Sequence, residues 1–104
     1  MKRFAQFSRL KPEKIDEYVR LHTNTWPGVL AMIERCHITN YSIYLLDNIL
    51  FTYFEYTGDD YDHDMQIMNS DPVTREWWKF TMPCFSGHEQ QHYYDAMQEI
   101  FHHS

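Results

Sequence analysis

At 104 residues the chain is sized for one domain, 1–104, with a core of its own. It is 43% hydrophobic and 17% aromatic, which excludes a disordered chain, and its net charge of −6 argues against a nucleic-acid partner, whose phosphates need clustered Lys and Arg. No run approaches the roughly 18 apolar residues of a membrane span, and two cysteines, Cys36 and Cys84, indicate neither a disulfide framework nor a zinc ribbon.

Phe4, Phe7 and Leu10 among polar neighbours predict a first strand over residues 3–10. Pro12 suits a first helical turn, where its missing N–H costs nothing. Ile15, Tyr18, Val19 and His22 then recur at helical spacing, opposite Glu13, Asp16, Glu17 and Arg20. Thr25, before Trp26-Pro27, reads as the cap of a second helix with an apolar stripe of Val29, Met32, Ile33 and Cys36. From Ile38 to Leu46 and from Ile49 to Tyr56 the chain is rich in Ile, Tyr, Phe and Thr, and Asp47-Asn48 between the two runs predicts a hairpin. The second of these strands has Ile49, Phe51 and Tyr53 on one face and Leu50, Phe54 and Tyr56 on the other, so both faces want cover. Helices supply one cover; a second copy of the sheet is expected to supply the other, as a homodimer. Gly58-Asp59-Asp60 opens a third helix with Tyr61, Met65 and Met68 inward, and its acidic first turn suits the helix dipole. Asn69-Ser70-Asp71-Pro72 starts a fourth helix through Val73, Trp77, Trp78 and Phe80, which Pro83 stops. Residues 86–92 read as loop and 94–102 as a last strand. The resulting order is an α+β, ferredoxin-like layout.

Chemistry concentrates between Tyr18 and Pro27. Tyr18 and His22 lie four residues apart, on one helical face. Imidazole exchanges protons near neutral pH, so the pair forms a small acid/base kit; the plain alternative is a core tyrosine beside a surface histidine. Trp77-Trp78 is the second cue. Adjacent helical residues diverge by about 100°, so the two rings do not share one core position: one is expected inside and the other beside a cleft or an interface, with core packing alone as the plain alternative. Aromatic faces suit the C–H face of a sugar. Asn40-Tyr41-Ser42-Ile43-Tyr44 alternates polar and apolar groups, as a pocket wall or a half-exposed strand would.

Other groups point away from chemistry. His88-Glu89-Gln90-Gln91-His92 matches the H-E-x-x-H zinc signature, but it lacks an apolar helical stripe and follows Pro83 and Gly87 closely. Asp59, Asp60, Asp62 and Asp64 lack the glycine turn and closing Glu of a calcium loop, so a solvated helix start is expected. Met65, Met68 and Met97 are expected in the core, and Cys36 and Cys84 as buried small hydrophobes. The N-terminus lacks the apolar segment of a secretory leader. A cytoplasmic protein with reduced thiols is expected.

Taken together, Lys11-Pro12-Glu13, Tyr18, His22, Trp26-Pro27, Asn40-Tyr41-Ser42-Ile43-Tyr44, Asp71-Pro72, Trp77-Trp78 and Met97-Gln98-Glu99-Ile100-Phe101-His102 resemble the L-rhamnose mutarotase family nearly end to end. Gly58-Asp59-Asp60 and Asp71-Pro72-Val73-Thr74 look like a branch assigned to L-fucose. The resemblance implies a dimeric α+β barrel with no metal and no organic cofactor. It implies His22 as proton donor and Tyr18, Tyr41, Trp77 and Trp78 as sugar contacts. Gly28 departs from the glutamate usual after Trp-Pro, which puts local helix stability in doubt. Anomer exchange requires the ring to open, the aldehyde carbon to turn and the ring to close. His22 suits one proton transfer, and Tyr18, or a water it holds, the other. Asn40 joins Tyr18, Tyr41, Trp77 and Trp78 as an expected substrate contact. A cofactor-free monooxygenase or a non-catalytic ligand-binding module is the competing expectation, because one fold hosts many activities.

Overall fold

The computed structural model describes residues Met1–Ser104. Strand β1 (Lys2–Arg9) leads through a 3₁₀ turn at Pro12–Lys14 into α1 (Ile15–Thr23) and α2 (Pro27–Arg35). The hairpin of β2 (Ile38–Leu46) and β3 (Ile49–Tyr56) is followed by α3 (Tyr61–Ser70) and α4 (Pro72–Thr81). Two 3₁₀ turns, Met82–Cys84 and His88–Gln90, then precede β4 (Asp95–Met97). The sheet has the order β2-β3-β1-β4 and every pairing is antiparallel. This is the expected ferredoxin-like α+β arrangement. No helix is long and apolar enough to cross a membrane.

Local chemistry explains most element starts. Asp60 caps α3 by accepting the His63 N–H at 3.1 Å. Asp71 caps α4 by accepting from the Thr74 N–H at 2.9 Å and its hydroxyl at 2.8 Å, with Pro72 in the first turn. Thr25 behaves differently from the sequence expectation. Its hydroxyl donates back to the His22 carbonyl at 3.1 Å, closing the end of α1, and Trp26 holds the cap position of α2 without a side-chain bond. Gly28 stands where α2 meets α4: a β-carbon there would lie 2.8 Å from a Val73 methyl. Close packing of the two helices accounts for a residue that helix propensity disfavours.

Alternation along β3 divides the sheet into two faces. Leu50, Thr52, Phe54 and Tyr56 are buried beneath the helices, whereas Phe51, Tyr53 and Glu55 alternate with them on the open face. Beneath the helices the apolar residues form two separate clusters. Leu10, Tyr18, Leu50 and Cys84 make one, backed by Ile15, Ile43 and Phe85. Ile38, Phe54 and Tyr56 make the other, backed by Phe4, Ile33, Tyr61, Met65 and Met68. Cys36 and Cys84 are free and buried, as expected.

Four sequence expectations are corrected. Strand β4 is three residues long rather than spanning 94–102. Beyond it Ile100 and Phe101 are 90% and 81% exposed, because a single chain offers their side chains no apolar neighbour. Met97 is exposed rather than in the core, since its pairing opposite Ala5 turns it to the open face. Asp64 is buried rather than solvated: it accepts from the Tyr56 hydroxyl at 2.5 Å and bonds His37 Nδ1 at 3.1 Å. Asn40 leaves the helix-covered side of the sheet. The register shifts between Thr39 and Ser42, with Asn40 at φ 49°, and two residues there face one on β3. The shift sends Asn40 to the Glu55 carboxylate, at 2.6 Å, and brings the Tyr41 ring against Phe54.

Candidate active site

Helix α1 presents Tyr18 and His22 one turn apart, with ring centroids 4.2 Å apart. His22 Nδ1 lies 2.8 Å from the Tyr18 carbonyl oxygen. A carbonyl only accepts, so Nδ1 carries the proton and Nε2 is the nitrogen left for chemistry. Helix α4 places Trp77 edge-on to His22 at 5.4 Å and to Trp26 at 5.2 Å. Phe80 closes on Trp26 at 5.7 Å. These contacts set the imidazole rotamer by packing, while its backbone bond fixes the tautomer.

A cavity of about 250 Å³ lies against these groups, with walls from Tyr18, His22, Tyr41, Trp77 and Trp78. It is close to the small end of ligand pockets, roughly 300–1,000 Å³, and suits a compact polar molecule. A second hollow of about 350 Å³ shares His22, Tyr41 and Trp77 and continues along α2 past Val29, Leu30 and Ile33. The five residues Tyr18, His22, Tyr41, Trp77 and Trp78 thus surround one space. Asn40 does not join them, for the reason given by the register shift.

Burial sets the protonation states. It lowers the His22 pKa below the ordinary imidazole value, partly offset by the bond to the Tyr18 carbonyl. The ring is therefore neutral near pH 7, with Nε2 as an acceptor. Burial pushes the Tyr18 phenol far above its usual range, with smaller contributions from Tyr41 and Cys84, so Tyr18 keeps its proton and can donate. The Tyr41 phenol is raised by its surroundings as well, an effect moderated by solvent because the residue is 46% exposed. One base and one protonated donor, side by side, fit a reaction in which one oxygen loses a proton and another is stabilised.

The family profile for L-rhamnose mutarotase matches residues 3–103. The chain belongs to the L-rhamnose mutarotase family. A family member from Oceanobacillus iheyensis, "L-rhamnose mutarotase", is 30% identical over 98% of each chain. Among solved structures, an L-rhamnose mutarotase from Formosa agariphila superposes over 100% of both chains with a TM-score of 0.81 at 19% identity. Tetracenomycin F2 cyclase from Streptomyces glaucescens shares the fold at 9% identity, with a TM-score of 0.70 over 100% of this chain and 98% of its own. The fold is therefore common to mutarotase and cyclase, and the cavity-lining groups have to carry any claim about chemistry.

Some lining groups of this mutarotase-family site escaped the sequence reading. Tyr93 and Tyr94 reach the cavity from the segment before β4, where nothing periodic announces them. Gln6, Ser8 and Thr52 form its floor. For Gln6 and Ser8 the signal was present in β1, where they interrupt the helix-facing row that begins at Phe4 and ends at Leu10, just past the strand. The H-E-x-x-H segment is broken: its 3₁₀ turn ends at Gln91 in the left-handed region, φ 55°. His92 bonds Asp95 at 2.9 Å and Glu89 bonds Lys11 at 2.6 Å, so the helical geometry that motif requires is interrupted.

Proposed function

We propose that this chain is an L-rhamnose mutarotase, an isomerase that interconverts the α- and β-anomers of its sugar with His22 and Tyr18 as the proton-handling pair. The observation that carries the reading is the His22 tautomer: Nδ1 is committed to the Tyr18 carbonyl, inside a cavity shared with the Tyr18 phenol. Neutral Nε2 takes the proton from the anomeric hydroxyl as the ring C–O bond breaks. The Tyr18 hydroxyl stabilises and protonates the departing ring oxygen, directly or through a water. Rotation about the bond to the aldehyde carbon exposes its other face, and the two transfers reverse to close the ring as the opposite anomer. Tyr41, Trp77 and Trp78 hold the methyl and C–H faces of the sugar while the anomeric carbon turns. Saturation-transfer NMR on an equilibrium mixture of L-rhamnose anomers tests this. Wild-type protein should speed exchange, with L-fucose as a second substrate in the panel; no acceleration of any sugar would refute the reading.

We also infer a homodimer across the open face of the sheet. Phe51, Tyr44, Leu46 and Met97 are exposed there, and Ile100 and Phe101 are exposed just beyond the edge strand. A contiguous apolar face of this kind calls for a partner, and a second sheet is the complement predicted from alternation in β3. Charged substitutions Phe51→Glu and Leu46→Glu should convert a dimer to a monomer in sedimentation analysis; an unchanged mass would refute this face as the interface. A cytoplasmic site, with both thiols free and buried, fits the same reading.

A further inference from the structure

The two apolar clusters under the helices do not touch along β1 and β3 because polar residues stand between them. Reading the helix-facing positions in order gives Phe4, Gln6 and Ser8 on β1 and Leu10 just past its end, and Leu50, Thr52, Phe54 and Tyr56 on β3. Leu10 and Leu50 belong to one cluster and Phe4, Phe54 and Tyr56 to the other. Gln6 sits directly opposite Thr52, and Ser8, opposite Leu50, is its diagonal neighbour. The polar residues therefore form one contiguous patch, and the cavity lies over it.

Such a patch is costly for folding. Ser8 and Thr52 are each 8% exposed, at positions where alternation calls for apolar side chains. Their hydroxyls and the Gln6 amide bond no other side chain and no backbone group, yet no completely enclosed side-chain nitrogen or oxygen lacks a partner. The polar ends of these three residues consequently open onto the cavity and await a partner from it. The Asp64 site shows that this fold can satisfy its buried polar groups internally; at the cavity floor it does not.

We infer that Gln6, Ser8 and Thr52 are specificity-determining residues that read the ring hydroxyls of the sugar from below. The inference rests on the mutarotase reading and adds a division of labour to it. Helices α1 and α4 supply the proton transfers and the aromatic walls. The sheet supplies hydrogen-bonding partners for hydroxyls that do not react. L-Rhamnose and L-fucose differ only in the configuration of such hydroxyls, so the floor is where they would be told apart. A floor of hydroxyls and an amide suits a polyhydroxylated pyranose and disfavours a flat apolar ligand.

The test is a comparison of wild type with Thr52→Val, Ser8→Ala and Gln6→Leu across L-rhamnose, L-fucose and their D-enantiomers. Thr52→Val keeps shape and removes one hydroxyl, so the thermal midpoint should hold or rise. KM for the preferred sugar should increase about tenfold for each lost hydrogen bond, and the preference between L-rhamnose and L-fucose should shrink. The acid limb of the pH profile, set by His22, should stay where it is. Folded variants with wild-type KM and wild-type preference would overturn the proposal. Ligand-detected NMR binding separates the two levels of inference. If wild-type protein binds these sugars without speeding exchange, the mutarotase reading falls, and loss of discrimination in the variants would still support the floor. If no sugar binds, both fall.

Discussion

Two of the sites that pair an imidazole with a phenol in this molecule, His37 with Tyr56 and His22 with Tyr18, behave in opposite ways. At one, His37 Nδ1 and the Tyr56 hydroxyl bond the same Asp64 oxygen, and the Tyr56 oxygen also accepts the Asp60 N–H at 3.0 Å. Gly58 passes so near that a β-carbon would collide with the Tyr56 hydroxyl and crowd the carboxylate. Burial and the bond to Asp64 push the Tyr56 phenol up to about 12. The bonds from Tyr56 and His37 hold the Asp64 carboxyl below its usual range. At the other site, His22 commits one nitrogen to backbone and Tyr18 commits its hydroxyl to nothing in the chain. On residue types alone the His37 group looks more like a catalytic triad. The Tyr56 hydroxyl and His37 Nδ1 are spent on Asp64, so the group ties α3 to β3; at the His22 site the Tyr18 hydroxyl and His22 Nε2 bond no group of the chain. What distinguishes the candidate site here is unsatisfied hydrogen-bonding potential facing a cavity.

That contrast is testable, and the largest expected effect falls on His22. Replacing it with alanine should lower catalysed anomer exchange by roughly 10²–10⁴-fold, with far-UV circular dichroism unchanged. Full activity in that variant would remove the imidazole from the mechanism. Next in size is Trp77→Ala. Trp77 is buried against both His22 and Trp26, so denaturant titration should show a loss of about 3–5 kcal/mol, accompanied by loss of exchange.

A smaller effect is expected from pH. Because burial favours the neutral imidazole, protonation of His22 needs a lower pH than the ordinary value of roughly 6.5. Exchange should therefore persist below that value and fall as pH drops through the depressed one. An acid limb at or above the ordinary value would contradict the buried, neutral base. Smallest for activity is Asp64→Asn. A depressed carboxyl pKa stabilises the fold above the unfolded value of roughly 3.9 and ceases to do so as pH falls through the folded one. The variant should melt earlier than wild type at neutral pH, with the gap closing in acid, while exchange per folded molecule is unchanged. A large drop in exchange would mean that the two sites are coupled.

The sequence made the helices legible through side-chain caps and prolines, as at Asp71-Pro72, and made the hairpin legible through Asp47-Asn48. It made the Tyr18–His22 pair legible because helical spacing is a local property. The reading failed where a residue's partner was distant. Asp64 sat in an acidic run that looked solvated until Tyr56 and His37 closed on it. Asn40 and Tyr41 were grouped together, and one register shift sent their side chains to opposite faces of the sheet. Tyr93 and Tyr94 lie in an irregular segment that has no period, although Tyr94 is expected from the sequence to open the last strand.

By itself, then, the chain determined its helices, its hairpin, the order of its elements and the helical face that Tyr18 shares with His22, because capping, proline placement and 3.6-residue periodicity act over a few neighbouring residues. Only the folded sheet and the helices laid on it decided which polar groups would be consumed by one another and which would be left facing a hollow. Hydrogen bonds between distant residues are settled by packing, and packing is where this protein separates the phenol and imidazole that brace it from the pair left facing a cavity.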